Sequence, residues 1–114
     1  LDHHYLNLFH FHNTYNWHEN NSASEKAGVE RFMDYVNSKQ LSNSELNVLA
    51  GDFNLNKTGC DQIISNQDFP NSVYSWVDHI YSNGLMLSSG QYTTYELNLS
   101  DHEAVWSVLC NADC

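Results

Sequence analysis

The stretch Val48-Leu49-Ala50-Gly51-Asp52-Phe53-Asn54 decides how this chain is read. An apolar run ends in Gly, then presents a carboxylate and an amide. A buried strand hands polar side chains to a loop in this way. Residues i and i+2 share one side of an extended segment, so Asp52 and Asn54 can address one ligand. A carboxylate can orient a water or hold a cation, and an amide can donate to a phosphoryl oxygen. Asp and Asn are also ordinary turn residues. Taken alone, the stretch fits a plain strand exit equally well.

Upstream, residues 46–50 read as a strand covered on both faces. Before them, Ser22-Ala23-Ser24-Glu25 has capping-box spacing, which predicts a helix starting near Ser22. Its apolar face would be Val29, Phe32, Met33 and Val36. Residues 5–12 read as another strand. Period two puts Leu6, Leu8, His10 and His12 on one face and Tyr5, Asn7, Phe9 and Phe11 on the other. Strand, helix, strand in that order predicts an α/β layer with a crossover. Downstream, a short helix is expected over residues 59–67 and a loop at Pro70. Strands are expected over 75–82, 91–97 and 103–110, the last of them buried. Gly84 marks a turn before Leu85-Met86-Leu87.

The 114 residues, 41% hydrophobic and 13% aromatic, make one globular domain or part of one. The net charge of −10, with only four Lys+Arg, repels polyanions unless cations intervene. No stable nucleic-acid complex is therefore expected. An enzyme that meets phosphate through a divalent cation is compatible with this charge. No apolar run approaches the ~18 residues of a transmembrane span. The first residues already read as a strand, so the chain is expected to begin inside a larger unit. Cys60, Cys110 and Cys114 are an odd number, so one thiol is left over from any pairing. Asn20-Asn21-Ser22, Asn56-Lys57-Thr58 and Asn98-Leu99-Ser100 match the glycosylation pattern and favour secretion.

Three further clusters carry chemistry. Asp101-His102 precedes the last strand: the Asp suits a hard cation, the His proton transfer near neutral pH. Asp78 lies inside an apolar run, where a carboxylate needs a partner. His102 could be that partner, held by Asp78 in one tautomer. His10 and His12, two apart on a strand, could grip zinc. The polar loop that begins after His12 favours His12 as the one catalytic histidine. The choice between the two stays open. His3, His4 and His18 are expected at the surface.

Together these residues resemble the endonuclease/exonuclease/phosphatase superfamily, which includes DNase I and the neutral sphingomyelinases. The resemblance rests on Gly51-Asp52-Phe53-Asn54, Val77-Asp78-His79-Ile80, Ser100-Asp101-His102 and an upstream strand ending in His12. It implies an α/β fold, with residues 1–114 as the C-terminal portion of a DNase I-like four-layer sandwich. It also implies Mg²⁺-dependent (or other divalent-cation-dependent) hydrolysis of a phosphodiester, in a phospholipid or a nucleic acid. His102 would be the general base and Asp78 its orienter. Asp52 would position the nucleophile, Asn54 and His12 would meet the phosphate, and Asp101 would be a metal-associated carboxylate. The metal-binding Glu of the family comes from an N-terminal half that this sequence lacks. A catalytically incomplete fragment is one alternative. A zinc hydrolase using His10 and His12 is another.

Overall fold

A computed structural model describes residues 5–17, 21–94 and 96–111. His3, His4, His18, Asn20 and Cys114 lie outside the described residues. The elements run β1 (Leu6–His12), α1 (Ala23–Ser38), β2 (Leu46–Asp52), α2 (Lys57–Ile63), β3 (Asn71–Ser75), β4 (Asp78–Ser82), β5 (Leu85–Tyr92) and β6 (Ala104–Cys110). The fold is α/β. Strands β1, β2, β4 and β3 form one sheet in that order, and β5 and β6 form a second, two-stranded one. β1 and β2 are parallel, joined through α1 as the strand–helix–strand pattern predicts. The other pairs are antiparallel. No helix among the described residues is long and apolar enough to cross a membrane.

Period two divides the larger sheet. Leu49, Phe53 and Tyr81 join Val29, Met33, Val36, Leu55, Cys60, Ile64 and Phe69 in the core, with Phe9, Phe11 and Phe32 packed against it. Phe53 is fully buried and meets Phe11, Phe32 and His79 edge to face. This core lies on the side of the sheet that carries the helices. The opposite side begins with Leu6 and Leu8, both about three-fifths exposed, and continues to His10 and His12. Cys60 is a free thiol, and burial pushes its pKa up to about 12, so it is no nucleophile. Cys110 is disulfide-bonded.

Five sequence expectations are corrected. The capping box does not form. Ser22 is left-handed and caps nothing with its side chain. Asn21 Oδ1 accepts from the Ala23 N–H instead. Glu25 turns inward, where its carboxylate accepts from the Asn16 N–H. The short helix starts earlier than expected, at Lys57, because Asn56 caps it through the Gly59 N–H. The strand expected over 75–82 is two strands, β3 and β4. They are joined at Trp76-Val77, and Trp76 takes a positive φ of 54°. Such turns usually carry Gly or Asn, and neither Trp76 nor Val77 signals one. Finally, β5 ends at Tyr92, so no strand covers 93–97 among the described residues. The last strand is present but only half covered, with Ala104, Trp106 and Val108 exposed.

Candidate active site

Strand register places the first three polar groups. His12 is paired with Asp52 across β1–β2, and Asp52 with Asp78 across β2–β4. Adjacent strands lie about 4.8 Å apart, so the three side chains form a row at one end of the sheet, on the face away from the helices. Gly51 makes this row possible. Its φ is +147°, and a Cβ there would fall 1.8 Å from the Phe11 carbonyl oxygen. Only a residue without a side chain lets β1 and β2 approach this closely.

Beyond the strand, Asp52 Oδ1 accepts from the Asn54 N–H at 2.9 Å. This local bond supports the left-handed φ of 48° at Asn54. The Asn54 amide donates to the Asn13 carbonyl at 2.7 Å. His12 Nε2 lies 3.6 Å from Asp52 Oδ2, with the His12 side chain 73% exposed.

His102 arrives from the β5–β6 connection. Its Nδ1 lies 2.6 Å from Asp78 Oδ2. Thr94 donates to the His102 carbonyl, Ser100 Oγ accepts from the His102 N–H, and the Trp76 ring lies 5.4 Å from the imidazole. The hydrogen bond to Asp78 holds the His102 pKa above the ordinary histidine value, against a smaller opposing effect of burial. Burial raises the Asp78 pKa above the usual carboxylate range. His102 pulls it down, and the Asp52 charge adds to the rise. In neutral His102, Nδ1–H donates to Asp78 and Nε2 keeps a free lone pair. That is the tautomer a general base requires.

Asp52, Asp78 and His102 each offer a ligand atom, all within 4.8 Å of one another, the one such group among the described residues. Its chemistry fits a hard divalent cation through the carboxylates, since His102 is committed to Asp78. Asp101 does not join this group. Its side chain is 88% exposed, 3.9 Å from His102 Nε2. His10 and His12 do not join it either. His10 does line the open cleft of about 440 Å³ that also contains Asp52, Asp78, Ser100 and His102. His79, left unassigned by the sequence, is a core residue. It is 1% exposed, its Nε2 is 2.8 Å from the Leu55 carbonyl, and burial lowers its pKa.

The sequence missed Thr94, which belongs to a segment read as strand. It also missed Asn13, which looked like the first residue of a polar loop. No curated protein and no solved structure matches the chain significantly. The model of the Endonuclease/Exonuclease/phosphatase family matches residues 2–102. That match takes in every residue of the row, the Asp78–His102 pair and Asn54, so the chain belongs to the endonuclease/exonuclease/phosphatase family, a family of hydrolases that generally use divalent cations.

Proposed function

We propose that this chain carries the base and phosphate-contacting side of a divalent-cation-dependent phosphodiesterase, with Mg²⁺ as the cation. The observation that carries the reading is the convergence of Asp52 and Asp78 with a His102 bonded to Asp78 through Nδ1. His102 Nε2 takes the proton of the attacking water, and Asp78 stabilises the imidazolium that results. Asp52 orients that water. Asn54 and His12 meet the phosphoryl oxygens, which gather negative charge in the transition state. Asp52 and Asp78 would hold the cation, with Asp101 beside them on the solvent side. When bound, the cation neutralises phosphate charge and polarises the phosphorus centre.

In this reading residues 1–114 are the C-terminal portion of the domain. The exposed apolar residues Leu6 and Leu8, on the same strand face as His10 and His12, support it. A soluble monomer rarely leaves an apolar sheet face open.

The substrate we favour is a phospholipid. The net charge of −10 opposes nucleic acid. Trp76, 66% exposed, stands beside His102, and tryptophan suits a membrane–water interface. The test is parallel release from sphingomyelin vesicles and from plasmid DNA with Mg²⁺, using the chain and a longer parent containing it. Vesicle turnover abolished by a chelator is expected. Turnover of DNA alone reverses the substrate assignment, and turnover that persists in the chelator rejects the metal dependence.

A further inference from the structure

We propose that Asn13, buried behind the site, is a positioning residue that fixes Asn54 and the end of β1 against the exit of β2. For its effect on turnover, the inference rests on the reading of Asn54 as a phosphate contact.

Asn13 follows His12 directly and is 6% exposed. Its polar groups are engaged on three sides. The N–H donates to the Asp52 carbonyl at 2.9 Å. The side-chain amide donates to the Phe53 carbonyl at 2.9 Å and to the Glu25 carbonyl at 2.8 Å. Oδ1 accepts from the Thr14 N–H at 2.9 Å. The carbonyl accepts from the Asn54 amide at 2.7 Å. One residue therefore contacts the three consecutive residues Asp52, Phe53 and Asn54, and ties them to the first turn of α1.

Helix α1 is shaped for this contact. A Cβ on Gly28 would fall 1.9 Å from Asn13 Oδ1, so the helix needs a glycine where Asn13 packs. Glu25, itself buried, holds the same loop through the Asn16 N–H. Asn54 has a left-handed backbone, held locally by the Asp52 side chain. The Asn13 carbonyl selects one orientation of its amide, and the Asn13 side chain holds that carbonyl in place. The buried hydrogen bonds of Asn13 specify a single arrangement of this junction.

The experiment follows the side-chain amide of Asn54 by NMR hydrogen exchange in the full chain, with backbone amides of Ile80 and Tyr81 as controls for the fold. In the parent chain the Asn54 amide is expected to be protected. In Asn13→Ala and in Gly28→Ala it should exchange up to about tenfold faster, the scale of one lost hydrogen bond, while the controls stay protected. Free exchange of Asn54 in the parent overturns the proposal. So does unchanged protection in either folded variant, or loss that spreads equally to Ile80 and Tyr81. Turnover is the second readout. Asn13→Ala should lower kcat on the order of 100-fold with little change in KM, and Asn13→Ala with Asn54→Ala should be no slower than Asn54→Ala alone. Additive losses assign Asn13 a purely structural role. Turnover is read in the longer parent that contains the chain; no turnover there rejects the proposed function, and the exchange data still decide the role of Asn13.

Discussion

Asp52 and Asp78 stand directly opposite each other across the antiparallel β2–β4 pair. Like charges placed this way destabilise a sheet. His102 offsets one of them through its bond to Asp78, and a divalent cation would offset both. Adding Mg²⁺ should therefore raise the melting temperature, by about 2.7 kcal/mol of stability at a hundred times the dissociation constant. Asp52→Asn removes the repulsion. It should leave the metal-free protein at least as stable and abolish most of the Mg²⁺-dependent gain. Calorimetric scans of both proteins with and without Mg²⁺ check this; an undiminished gain in the variant removes Asp52 from the cation site.

The Asp78 bond sets the titration of His102. The raised pKa means that the protonated, inactive form persists above the ordinary histidine range. Activity that depends on neutral His102 should therefore rise with pH through a midpoint above that range. Asp78→Asn should move the midpoint down. Histidine NMR titration of the metal-free protein reads the shift without turnover, and an unmoved midpoint contradicts the pairing.

Loss of the base should be large. His102→Ala is expected to lower kcat by about 10²–10⁴-fold, the range for a positioned general base. Asp78 acts through His102, so the double variant His102→Ala with Asp78→Asn should lose little beyond His102→Ala alone. Steady-state kinetics under saturating Mg²⁺ measure both, and independent losses would separate the two residues.

Stability should concentrate under the site. Phe53→Ala opens the centre of the core and should cost about 3–5 kcal/mol. Gly51→Ala meets the Phe11 carbonyl and a positive φ at once, so it should destabilise by more than about 1 kcal/mol despite adding one methyl group. Urea unfolding gives both values, and a neutral Gly51→Ala would mean that β1 and β2 tolerate a wider separation.

The open face bearing Leu6 and Leu8 should make the isolated chain self-associate. Leu8→Ser is expected to shift light-scattering mass towards the monomer without lowering the helix signal in circular dichroism. A chain already monomeric at high concentration would show that this face needs no cover.

The sequence by itself determined the parallel β1–α1–β2 unit, because period-two and helical periodicities follow from local backbone geometry. Asp52, Asp78 and His102, which now line the cleft, stood in that chain order, with Asp52 set in Gly51-Asp52-Phe53-Asn54. The turn at Trp76-Val77 was not legible, since the position that takes a positive φ carries Trp in place of Gly or Asn. Nor was the fate of Ser22 and Glu25, where a tertiary bond to Asn16 outcompeted the local cap. Register decided the rest. The pairing of Asp52 with Asp78 and the 2.6 Å approach of His102 to Asp78 join residues 24 and more positions apart. The sequence order shows which groups are available, but their separation depends on strand pairing, loop path and core packing acting together.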